Sequence, residues 1–117
     1  MEQIPFTLID WSSISPTEHA GAPGISFWKT WQHPGLRIRI VTYSPGYLAD
    51  HWCPKGHIVH CLEGSFESEL EDGTRVVLHQ GMTYVVTDDA SSHRSYSEDG
   101  VKLLIIDGDF LKADQES

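Results

Sequence analysis

Turn signals break this chain so often that a long helix has no room to form. His33-Pro34-Gly35, Ser44-Pro45-Gly46, Glu63-Gly64, Asp72-Gly73, Gln80-Gly81 and Asp99-Gly100 punctuate it, and Pro, Gly and Asp suit tight turns through a preset or positive φ. Between them lie short β-rich runs: Ile25–Trp31, Leu36–Tyr43, His57–Leu62, Ser65–Leu70, Arg75–His79, Thr83–Thr87, His93–Tyr96 and Val101–Asp107. Short strands at this spacing predict an all-β sandwich or barrel. Alternation in Phe66-Glu67-Ser68-Glu69-Leu70 marks a strand with one wet face. Leu36-Arg37-Ile38-Arg39-Ile40 alternates too and puts both arginines on one face. Val101 to Ile106 is more continuously apolar, as expected of a strand covered on both sides.

With 117 residues the chain makes one domain with one core. Residues 1–24 carry Pro5, Pro16, Pro23, Gly21 and Gly24 and read as an irregular arm. Ile4, Phe6, Leu8, Ile9 and Trp11 in that arm leave water only if it packs on the barrel or on a neighbouring subunit. Residues 25–110 form the barrel, and 111–117 a tail that frays from Ala113 onward. No apolar run is long enough to span a bilayer, and the opening MEQIPFTLID lacks a signal-peptide pattern. Two cysteines without a secretion signal point to the reducing cytoplasm, with Cys53 and Cys61 unpaired. A net charge of −9 argues against nucleic acid, which demands clustered Lys and Arg.

Chemistry concentrates in Asp50 to Gly64, DHWCPKGHIVHCLEG. His51, Cys53 and His57 stand at intervals of two and four, and His93 lies far off at the start of another strand. Imidazole and thiolate hold transition metals, and such distant ligands converge only if the sheet curls on itself. His60 should face away from His57 and Val59 by strand alternation. Cys61 reads as a small core residue. His19, His33 and His79 fall in turn-like segments. Trp28 and Trp31 read as core or interface, and Trp52 as packing under the arm. Tyr43, Tyr84, Arg37, Arg39 and Arg94 stay open between contacting an anionic substrate and facing solvent. Asp50 either orients His51 or caps a turn.

Over residues 25 to 107 the chain resembles the cupin superfamily. Cupins place a Gly before H-x-H, then a Glu, then an apolar strand ending in Gly; a second motif runs Gly, strand, Pro-x-Gly turn, His. Here Pro45-Gly46 precedes His51-x-Cys53, His57 stands at the Glu position, and Cys61-Leu62-Glu63-Gly64 closes the strand. Gly81 precedes Thr83–Thr87, Asp88-Asp89-Ala90-Ser91-Ser92 replaces the turn, and His93 takes the last His position. The tetrapeptide Asp50-His51-Trp52-Cys53, together with Asp10-Trp11 and Phe27-Trp28, is similar to the uncharacterised DHCW-motif cupin fold proteins, a label that conveys fold and no activity.

The resemblance implies a small jelly-roll β-barrel with one divalent transition metal held by His51, Cys53, His57 and His93. The usual three imidazoles and one carboxylate become three imidazoles and one thiol, so a Cys53 thiolate preserves the count of neutral and anionic ligands. This donor set favours zinc, iron or nickel over magnesium or calcium. The resemblance and the arm together imply a homodimer. Two functions follow as expectations: a metal-dependent enzyme acting on a small organic molecule, or a non-catalytic metal- or ligand-binding cupin that senses or stores. Coordination number separates them, because four protein ligands close a zinc site and three leave it open. No Gly-rich phosphate loop, dinucleotide fingerprint or nucleophile–base pair stands out.

Overall fold

A computed structural model describes residues 2–113. Nine strands follow in chain order: β1 (Thr17–Ala20), β2 (Ile25–His33), β3 (Leu36–Tyr43), β4 (Tyr47–Leu48), β5 (His57–Leu70), β6 (Arg75–His79), β7 (Thr83–Val86), β8 (His93–Ser97) and β9 (Val101–Gly108). All pair antiparallel. One sheet runs β1-β2-β3-β9-β5-β7, and the second runs β4-β8-β5-β6. Strand β5 belongs to both, its first half pairing with β9 and β7 and its second with β8 and β6. The sheet thus curls round on itself as the distant ligand candidates required.

The expected strands at His57–Leu62 and Ser65–Leu70 are therefore one strand, and Glu63-Gly64 is a bulge where a turn was expected. The β5–β9 register shifts between Cys61 and Glu63, and the inward face changes from His57, Val59 and Cys61 to Phe66 and Ser68. An extra residue flips side-chain parity in this way, which lets one strand serve two sheets. Gly64 makes the bulge possible: its φ is +82°, and a Cβ there would lie 2.8 Å from the Gly100 carbonyl oxygen.

Two short strands, β1 and β4, were not expected. The arm is irregular apart from a 3-10 turn at Trp11–Ser13 and strand β1, which pairs with β2. Lys29 Nζ donates to the Trp11 carbonyl at 3.0 Å and ties the arm to the sheet, while Phe6 and Leu8 stay exposed. On β9, Val101, Leu103 and Ile105 are buried, but Leu104 and Ile106 are only half-buried, so its outer face is less covered than its composition indicated. Residues 114–117 of the expected tail lie outside the described residues.

Register grades the barrel interior from charged to apolar. Across β3 and β9, Arg37 faces Asp107, Arg39 faces Ile105, Val41 faces Leu103 and Tyr43 faces Val101. On β5, Val59 pairs with Ile105 and Cys61 with Leu103, and one more step of that register brings His57 to Asp107. Val41, Val59, Cys61, Leu103 and Ile105 build the core with Phe66 and Leu78. The charged row at its edge is where the site lies.

Candidate metal centre

Three elements deliver the donors. Cys53 sits in a two-residue antiparallel bridge with His93: Cys53 N–H donates to the His93 carbonyl at 2.8 Å and His93 N–H returns to Cys53 at 3.1 Å. His93 opens β8 and His57 opens β5, both facing inward and buried. Gly56 lets the chain enter β5 against the end of β7, since a Cβ would lie 2.7 Å from the Val86 carbonyl oxygen. Its N–H donates to Asp88 Oδ1 at 2.6 Å, which fixes the entry.

One ligand atom from each of Cys53, His57 and His93 lies within 4.8 Å of the others. Cys53 Sγ is 3.4 Å from His57 Nε2. His93 Nδ1 lies 2.9 Å from the Ser91 carbonyl oxygen; a carbonyl can only accept, so this nitrogen carries a proton and Nε2 is left to face Cys53, as a donor to its thiolate or, once deprotonated, as a metal ligand. His57 Nδ1 is buried without a hydrogen-bond partner and has Asp107 Oδ2 at 3.7 Å. The His93 imidazole is thus held from behind in the way that orients metal-binding histidines, while His57 has a carboxylate behind it that stands beyond hydrogen-bond length.

Burial alone would keep the Cys53 thiol protonated. Hydrogen bonds from His57 and His93 and from the Lys55 backbone outweigh it and bring the pKa down to about 5. Burial would lower His93, but its hydrogen bonds to Cys53 and to the Ser91 carbonyl raise it. Cys61 is fully buried, which pushes its thiol up. Both cysteines are free.

The remaining candidates lie elsewhere. His51 stands apart from the three, its side chain 76% exposed at the cavity mouth and its Nδ1 bonded to Asp50. His60 faces outward and bonds Thr83 Oγ1 at 2.7 Å, as alternation required. His19, expected in a turn, sits on β1 and stacks on Trp28 with ring centroids 3.7 Å apart. Trp52 carries the Arg94 guanidinium 4.4 Å over its ring.

A cavity of about 260 Å³ opens beside the donors. Trp28, packed against the core as expected, also lines it together with Arg39, Tyr43 and Tyr84. Arg39 is 4% exposed and lies 4.4 Å over the Trp28 ring. Burial lowers its pKa, the neighbouring Arg37 lowers it further, and Asp107 opposes both. Asp107 accepts two bonds from Arg37, at 3.1 and 2.7 Å. Burial raises the Asp107 pKa, but Arg37 and Arg39 outweigh it and hold the carboxyl below its ordinary value. Asp107 was missed by sequence reasoning. The signal was an acid on the inward parity of a buried apolar strand, where such a residue needs partners.

No family model matches this chain, and no curated protein does. Solved structures do. Ectoine synthase from P. lautus superposes with a TM-score of 0.71 at 15% identity, covering 88% of this chain and 78% of that one. A cupin-like protein from Thermotoga maritima gives 0.66 at 16%, covering 81% and 83%. A protein from the same organism described as a predicted oxalate decarboxylase gives 0.70 at 14%, covering 87% and 99%. The fold is the cupin jelly roll. At these identities the likeness extends to the fold alone, so the chemistry of this cupin barrel has to come from its own side chains. Those side chains offer one thiolate and two imidazoles converging beside a small cavity, a donor set compatible with a first-row transition metal.

Proposed function

We propose that this cupin holds a divalent transition metal between Cys53, His57 and His93 and presents it to a small organic ligand in the adjacent cavity. The convergence of the three donors carries the reading. In a tetrahedral site with a sulfur at 2.3 Å and nitrogens at 2.0–2.1 Å, sulfur and nitrogen would stand about 3.6 Å apart. The 3.4 Å between Cys53 Sγ and His57 Nε2 is close to that span without rearrangement. With His51 outside the cluster, three protein ligands leave a coordination position for water or ligand, the pattern of catalytic rather than structural zinc sites. A metal there would act as a Lewis acid or as an oxygen-activating centre. The Ser91 carbonyl would orient His93, Asp107 would place a negative charge behind His57, and the buried wall of Val59 and Ile105 would limit water. This favours an enzyme over a sensing or storage cupin.

The same reading places the chain with the DHCW-motif cupins, on Asp50-His51-Trp52-Cys53. It also makes the chain a cytoplasmic homodimer. The two free cysteines support the compartment, and the exposed Phe6 and Leu8 of the arm support a second copy.

Metal titration of apo protein prepared without an affinity column tests the proposal. One equivalent of zinc, iron or nickel should bind per chain, and Cys53→Ser should weaken it at least tenfold, because a neutral hydroxyl replaces a thiolate. Apo-state melting should change little. Unchanged affinity in Cys53→Ser would remove the thiolate from the site, and no binding of any of the three metals would end the metal reading.

A further inference from the structure

We propose that the cavity beside the donor cluster is a carboxylate site, in which the Arg39 guanidinium takes the acid group of a small organic ligand and Trp28 covers it. This deepens the reading above by naming the ligand class, and it rests on that reading only for the identity of the cavity.

The first observation is an unbalanced buried charge. Arg39 is 4% exposed, and its Nε has no hydrogen-bond partner. Its nearest carboxylate oxygen, Asp107 Oδ2, is 3.7 Å away, beyond hydrogen-bond length. That carboxylate is already engaged by Arg37 through both oxygens. Among the described residues, Asp107 is the one carboxylate in salt-bridge range of either arginine. Two guanidiniums therefore share one negative charge. A buried cation short of acceptors is costly, and a monoanionic ligand supplies both the charge and the acceptors.

The second observation is where positive charge collects. The chain has eight basic residues and a net charge of −9, yet Arg37, Arg39 and Lys55 line this cavity with no Asp or Glu among the lining residues, while Arg94 at its border gives its guanidinium to Glu69 at 2.6 Å. With Arg37 taken by Asp107 and Arg94 by Glu69, Arg39 is the buried arginine of this space without a hydrogen-bonded carboxylate among the described residues. The Arg39 guanidinium lies 4.4 Å over the Trp28 ring, and its fork of N–H donors matches a planar two-oxygen group better than any other side chain. Val41, Leu103 and Ile105 among the lining residues suit an apolar body behind the acid.

Position ties this site to the donors. Arg39 lines the same cavity of about 260 Å³ as Cys53, His57 and His93.

Calorimetric titration of metal-stripped protein isolates this site from the metal. Benzoate should bind saturably, and benzamide, its neutral counterpart, at least about tenfold more weakly, because the charge-assisted bonds are lost. Arg39→Met should lose benzoate binding by a similar factor, and Arg39→Lys should recover only part of it, since an ammonium lacks the fork. Arg75→Gln, which alters an exposed arginine outside the cavity, should bind as wild type. Melting curves identify any variant that has not folded, and in that case the benzoate–benzamide comparison on wild type decides. Equal affinity for benzoate and benzamide, no binding of either, tighter binding of inorganic phosphate than of benzoate, or an unaffected folded Arg39→Met would each overturn the proposal. Metal affinity is measured separately, so failure here leaves the metal site standing, and failure of the metal site leaves this result standing.

Discussion

Cys53 is held as an anion by its neighbours against the effect of its own burial, and this gives it a chemistry that Cys61 lacks. The thiolate is the form that reacts with alkylating agents. In metal-free protein, iodoacetamide labelling of Cys53 should follow a pKa near 5, so the rate stays level as pH falls from 8 to about 6 and declines only below that. An ordinary thiol, with a reference value of 9.0, would already have slowed throughout that range. Cys61, fully buried and shifted upward, should remain unlabelled in the folded protein. Peptide mapping of the labelled sites across pH checks both, and a Cys53 profile centred near 9 would contradict the geometry. Residue type and spacing made Cys53, His57 and His93 legible as candidates. The position of His51 was not legible, because residues 50–56 form no regular strand that would carry alternation back from β5, and the adjacent Asp50 captures its ring. Nor was the pairing of Arg37 with Asp107, which lie 70 residues apart and meet only through the β3–β9 register.

Strand β5 shows how much one residue controls at the level of elements. Its bulge lets the inward face change parity, so that His57 faces the site from one sheet and Phe66 fills the core from the other. Gly64→Val should therefore be severe. It places a β-branched side chain at φ +82° and drives a Cβ to 2.8 Å from the Gly100 carbonyl oxygen, at a cost of roughly 3 kcal/mol or more. Gly73→Val has a similar φ of +92° with nothing within 4 Å, so it should cost only the conformational part, about 1–2 kcal/mol. Urea denaturation of both variants separates the steric share from the backbone share, and equal losses would show that the bulge is not tightly packed. The boundaries of β3 and β6 were readable because both have turn residues beyond the strand ends and apolar runs within. The bulge was not. Glu-Gly inside an apolar run carries the same local signal as a hairpin turn, and only pairing with β9 on one side and β8 on the other distinguishes them.

At the scale of the molecule, the cupin barrel sorts charge: a chain of net charge −9 buries Arg39 in a cavity lined by no Asp or Glu. The arm leaves Phe6 at 101% and Leu8 at 84% exposure, apolar surface that a second copy would cover. Sedimentation at micromolar concentration should give a dimer, and Phe6→Ser with Leu8→Ser should shift it toward monomer; a wild-type monomer would refute that reading. All-β architecture and the curled sheet were legible from turn spacing and from two distant ligand motifs that had to meet. The cavity was not, because its walls come from β2, β3, β4, β5, β7, β8 and β9 together. The central claim is that Cys53, His57 and His93 share one metal. X-ray absorption at the metal edge of the loaded protein tests it most directly. One sulfur at about 2.3 Å and two imidazole nitrogens at about 2.0–2.1 Å are the expected shell for zinc, with the sulfur lost in Cys53→Ser. A shell of nitrogen and oxygen only, unchanged by that substitution, would contradict the account.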